Sequence, residues 1–88
     1  MTLRKRSLTL DRHRTSVALE PVFWDLLERT AAERRLALAA LVAEIDRARV
    51  AAGADDNLSS AIRVWLVERL LETASLLPQG KGGGAAAG

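Results

Sequence analysis

The chain has 88 residues, a net charge of +2 and no cysteine. That length suits one small domain with a modest core, and the absence of cysteine excludes disulfides and thiolate chemistry. A single histidine, His13, argues against a histidine-based metal site within one chain.

The positive charge is local. Residues 1–14 hold Arg4, Lys5, Arg6, Arg12 and Arg14 against one acid, Asp11, whereas the other 74 residues carry more acids than bases. Concentrated cations attract phosphate-lined polymers, so nucleic acid is the partner class the charge favours. No apolar run approaches the roughly 20 residues of a membrane span. The basic N-terminus lacks the apolar segment that follows in a secretory signal. A cytoplasmic protein with no membrane partner is expected.

Residues 1–13 read as a basic flexible arm, although Ser7-Leu8-Thr9-Leu10 alternates polar and apolar as a strand would. Arg14 to Leu19 is the clearer strand. Val17 and Leu19 fall on one face, with Arg14, Ser16 and Ala18 on the other. A strand this short needs a partner strand. Glu20-Pro21 ends it, and proline suits the first turn of a helix.

Helix one is predicted over about 21–34, with Phe23, Leu26, Leu27, Thr30 and Ala31 as its apolar stripe. A break follows at Arg35-Leu36-Ala37, poorly marked because it lacks a glycine stop and a polar cap. One long helix over 21–52 is therefore a rival reading. Helix two is expected over about 38–51, with Leu38, Leu41, Val42, Ile45 and Ala48 on one face. Gly53 to Asp56 reads as a stop and turn. Asn57 or Ser59 then caps a third helix over about 58–77.

Ile62, Val64, Leu66, Val67, Leu70 and Leu71 cover more than half of helix three, which requires burial on more than one side. Arg63 lies within that arc and is expected to pair with an acid of a neighbouring helix or to cap carbonyls, with a phosphate contact as the alternative. Trp65 falls among Glu68, Arg69 and Glu72 and reads as an exposed protein-contact residue. Pro78 closes the helix, and the Gly/Ala-rich tail over 78–88 is expected to be disordered. The domain plan is thus an arm (1–13), a strand-and-two-helix core (14–52), a helical extension (53–77) and the tail.

The stretches KRSLTLDRHRTSVALEPVFWDLLERTAAER (5–34), LALAALVAEID (36–46) and NLSSAIRVWLVERL (57–70) resemble a ribbon-helix-helix family of small bacterial regulators. That family usually has a small polar residue where this chain has Ala18. It usually has Gly, Leu and Ser where this chain has Arg35, Leu36 and Ala37. The resemblance implies a mainly α fold with a short N-terminal strand pairing across a dimer, two core helices and here a third. Val17, Leu19, Phe23, Leu27, Leu41, Val42 and Ile45 would form the dimer core.

The resemblance further implies a DNA-binding regulator whose antiparallel ribbon enters the major groove. Arg14, Ser16 and Ala18 would face base edges. Arg14 is the most informative of these, since arginine can bond guanine O6 and N7 together. Phosphate contacts would come from Arg4, Lys5, Arg6, Arg12 and Arg35, and from the backbone of Leu38 and Ala39 at the helix-two N-terminus. Double-stranded DNA and a second copy are the expected partners, and assembly beyond a dimer is compatible. The competing reading is an oligomerising adaptor or antitoxin-like module that binds protein through residues 57–77. No enzyme, metal or cofactor is expected, because no nucleophile–base pair or Gly-rich phosphate loop is present.

Overall fold

The computed structural model describes residues 2–54 and 57–76. Its elements are β1 (Arg4–Leu10), β2 (His13–Leu19), α1 (Pro21–Glu33), α2 (Leu38–Ala51) and α3 (Leu58–Leu76). The mainly α class with a ribbon, two helices and a third holds. Pro78, the tail, Leu77 and the turn residues Asp55 and Asp56 lie outside the described residues.

The segment read as a flexible arm is mostly strand. β1 pairs antiparallel with β2, from Arg4 opposite Leu19 to Leu10 opposite His13. The partner strand that β2 was expected to take from a second copy is supplied within the chain. The reason lies in Asp11 and Arg12, which link the strands with φ of 47° and 73°. Positive φ at both central residues is the sign pattern of a type I′ turn, whose twist matches that of a hairpin. Aspartate tolerates this region readily, whereas arginine bears a steric cost there. Both carboxylate oxygens of Asp11 accept from Arg47 Nη1 at 3.2 Å, tying the turn to α2.

The inner face of the hairpin is apolar. Leu10, Val17 and Leu19 are buried, and Leu8 packs partly against them. α1 begins at Pro21, after an extended Glu20, and buries Trp24, Leu27, Thr30 and Ala31. Its stripe is rotated from the predicted one: Trp24 is inside, while Phe23 and Leu26 are half-buried. The cause is β1. Trp24 Nε1 donates to the Arg4 carbonyl at 2.8 Å, and the Arg6 guanidinium lies 4.5 Å from the indole centroid. Strand one thus covers a side of α1 that lies off the predicted apolar stripe.

The polypeptide breaks between α1 and α2, so the single long helix does not form. Arg35 sits in the left-handed region at φ 57°. Leu36 N–H donates to the Ala31 carbonyl at 2.9 Å, and Arg35 N–H to that of Ala32 at 3.1 Å. These two bonds make a Schellman stop, in which arginine holds the position glycine usually takes. Arg34 spans the break by donating twice to Glu44, at 2.8 and 3.1 Å.

Asn57 caps α3 by accepting from Ser60 N–H at 2.8 Å. Ile62 and Leu66 are buried against the rest of the chain. Arg63 donates to Glu20 at 2.9 Å, pairing as its place in the apolar arc suggested. Trp65 differs from expectation: it is half-buried and packs on the core, with Arg69 beside its ring. Six of the seven residues assigned to a dimer core are buried within this one chain, and Phe23 is half-buried.

Replacing Arg35 by glycine should relieve the left-handed strain and raise stability by about 0.5–1 kcal/mol. Chemical denaturation of the wild type and of Arg35→Gly would measure it. Equal or lower stability in the variant would show that arginine carries no strain at this stop.

Acid sensitivity should follow from two carboxylates. A backbone hydrogen bond and the Arg63 guanidinium hold Glu20 below its ordinary value of 4.5. Hydrogen bonding from Arg34 does the same for Glu44. Groups with lowered folded values stabilise above the unfolded value and lose that contribution as pH falls through the folded one. Melting temperature should therefore begin to fall below about pH 4.5, and less steeply in Glu20→Gln.

Candidate nucleic-acid interface

Alternation along a strand sends successive side chains to opposite faces, and pairing brings the two strands' faces together. The inner face of the hairpin carries Leu8, Leu10, Thr15, Val17 and Leu19. The outer face carries Lys5, Ser7 and Thr9 from β1, opposite Ala18, Ser16 and Arg14 from β2. Ala18 is half-buried and the other five are exposed. This is a polar strip backed by the buried face of the hairpin. Among the described residues, no salt bridge engages Lys5, Arg12 or Arg14.

Arg14, Ser16 and Ala18 are thus brought together on one surface. The arm cations are divided. Lys5 joins the outer strip and Arg12 sits in the turn at its end. Arg4 and Arg6 belong to the other face, toward α1, because they alternate with Lys5. Arg6 stacks on Trp24 and donates to Glu28 at 2.8 Å, so its charge is locally answered. His13 closes the hairpin as an exposed partner of Leu10.

The start of α2 has its own character. Its cap, Ala37, is extended and makes no side-chain cap hydrogen bond. A helix start has amides without intrahelical partners, and the positive end of the helix dipole favours an anion there. Leu38 and Ala39 are the first two residues of that helix, with Arg35 just before it.

The sequence reading did not assign Ser7 and Thr9 to the interface. The signal was the polar–apolar alternation it had noted in residues 7–10, which is in step with β2 across the hairpin; the charged Lys5 and Arg6 do not extend it. Among the described residues, no group of three His, Cys, Asp or Glu side chains suits a metal ion. No described helix is long and apolar enough to cross a membrane.

The Ribbon-helix-helix domain family matches residues 3–70, and the chain belongs to that family. The family points to a regulator of the DNA-binding kind. No curated protein and no solved structure matches the chain.

The two faces of β2 should respond differently to charge. Val17→Asp places an unpaired carboxylate in the core and should unfold the domain. Ser16→Asp should leave stability within about 0.5 kcal/mol of wild type, as surface changes usually do. Thermal melts followed by circular dichroism separate the two; similar losses would reverse the face assignment.

Proposed function

We propose that this protein is a cytoplasmic bacterial transcription regulator that binds double-stranded DNA by inserting its ribbon into the major groove. The observation that carries this reading is the outer strip: Lys5 and Arg14 stand on it without an ion pair to any described residue. The B-DNA major groove is about 12 Å wide and admits a two-stranded ribbon. Arg14 reads a base edge, Ser16 bonds less selectively, and Ala18 offers a methyl group to thymine.

Phosphates are held by Lys5 and Arg12 beside the strip, with Arg4 at its rear edge. Arg35 and the amides of Leu38 and Ala39 form the second clamp at the start of α2. Arg6 contributes less, because Glu28 already answers its charge. The regulator acts as a homodimer. Its contact uses α3, where Val64, Val67, Leu70 and Leu71 are exposed on an arc distinct from that of the buried Ile62 and Leu66. Two copies then address two half-sites, as two-fold symmetric regulators do.

The same exposed arc favours a second reading, in which α3 binds a different protein and the chain is an adaptor or antitoxin-like module. DNA titrations distinguish the readings. Arg14→Ala should weaken binding at the preferred sequence by about 1–3 kcal/mol and change binding to random duplex little. Lys5→Ala and Arg12→Ala should weaken both alike, each lowering the salt slope by about one unit. If wild-type protein prefers no sequence at any salt and Arg14→Ala matches it, the adaptor reading prevails.

A further inference from the structure

We infer that the cleft between α1 and α3 binds a small apolar carboxylate, with a body of one ring or one branched chain, whose charge is taken by Arg69. No residue of the ribbon lines this cleft, so the site is independent of DNA binding and is tested without DNA.

The floor of the cleft is apolar. Leu26 and Thr30 of α1, with Leu66 and Leu70 of α3, line a cavity of about 230 Å³. In each helix these residues are four apart and share a face. Leu66 is buried, and the hydroxyl of the buried Thr30 already donates to the Leu26 carbonyl at 2.8 Å. The floor therefore offers carbon surface and no free donor. Leu70 lines the same cavity yet remains 48% exposed, so α1 covers it only in part.

Volume sets the size of the guest. An apolar cavity of about 150 Å³ holds one benzene molecule. The 230 Å³ here admits one such body with a small polar head. Sites for drug-sized ligands run from about 300 Å³ upward, so a nucleotide is too large.

Charge sets the head group. The rest of the wall holds Arg29, Glu33, Arg69 and Thr73, two cations against one anion. Arg29 is already bonded to Asp25 at 3.0 Å. Arg69 is held more loosely. Its Nη2 stands 3.8 Å from Glu33 Oε1, too far for a hydrogen bond, whereas the other salt bridges among the described residues measure 2.7–3.2 Å. The Glu33 side chain is 70% exposed and can swing into solvent. The Trp65 ring lies 5.8 Å from the Arg69 guanidinium and steadies it without consuming its donors. A carboxylate in the cleft can accept two parallel N–H bonds from that guanidinium, with Glu33 as its competitor.

An NMR titration of the full chain tests the site with benzoate and isovalerate as probes and acetate and benzyl alcohol as controls. At least one probe should saturate at one per chain with a Kd of about 1 mM or tighter, within reach of a ligand of roughly seven to nine heavy atoms. The tighter probe distinguishes an aromatic guest from an aliphatic one. Acetate lacks the apolar body and benzyl alcohol lacks the charge, so each should bind about tenfold more weakly or worse. Amide shifts should move in α1 and α3 and stay fixed in the ribbon.

Arg69→Met should weaken the better probe about tenfold or more. Glu33→Gln removes the competing carboxylate and should tighten it by up to about fivefold. No saturation by either probe, acetate binding as well as the probes, shifts centred outside α1 and α3, or unchanged affinity in both variants overturns the proposal. Circular dichroism checks that the variants fold; should Arg69→Met not fold, the wild-type probe series and Glu33→Gln decide.

Discussion

The ribbon depends on burial of its inner face. A two-stranded hairpin alone in water is marginal at best. Here Leu10, Val17 and Leu19 sink into the helices, and full burial of such a side chain contributes about 1.5–3 kcal/mol. The polar attachments are individually smaller: the exposed Arg6–Glu28 pair contributes about 0–1 kcal/mol, and stacking of Arg6 on Trp24 about 0.5–1 kcal/mol. Apolar burial therefore holds the hairpin down, and the Trp24 bond to Arg4 fixes where β1 lies. Register follows from the same constraint. A slip of one residue in β1 would send Lys5, Ser7 and Thr9 inward and Leu8 and Leu10 outward. The polar strip exists because the apolar face admits only one register.

Much of this was legible in residues 14–76. The alternation of Val17 and Leu19 against Arg14 and Ser16 announced the inner and outer faces. Proline at 21, the arc of Leu41, Val42 and Ile45, and Asn57 before an apolar run marked the three helices. What the chain concealed were its turns. An Asp-Arg pair is an uncommon two-residue hairpin loop, because positive φ at arginine is sterically costly. Without a glycine there, residues 4–10 read as an arm and β2 as a strand in need of a second chain. The break after α1 was read at the right residues, yet it was weakly marked, since arginine and not glycine occupies the left-handed position at 35.

Tertiary contacts explain how these residues stay in unfavourable conformations. Asp11 is held by Arg47 of α2, which secures the hairpin turn from outside. The Arg35 stop is flanked by the Arg34–Glu44 bridge and by Leu36, which packs partly into the core. The local cost at each turn is offset by contacts made far away in sequence. Reading such positions from local propensity alone fails because the deciding partners lie about ten to forty residues away. Trp24 illustrates the reverse case. Its buried place became intelligible only once β1 was known to cover it.

Charge follows the same division between scaffold and surface. Arg6, Arg29, Arg34, Arg47, Arg49, Arg63 and Arg69 each face an acid of this chain. Arg29 and Arg49 pair within their own helices, and the other five tie the hairpin turn, β1 and the helices to one another. A cation already paired with a carboxylate releases less on meeting phosphate, because the existing pair must first be loosened. Lys5 and Arg14, at opposite ends of the outer strip, make no such pair among the described residues. The modest net charge of +2 thus understates the field over the ribbon, where the positive groups are uncompensated. Composition alone locates the excess near the N-terminus. The hairpin turns that excess into a surface by folding two of its five cations, Arg4 and Arg6, toward α1 and leaving the other three on the strip or at its turn.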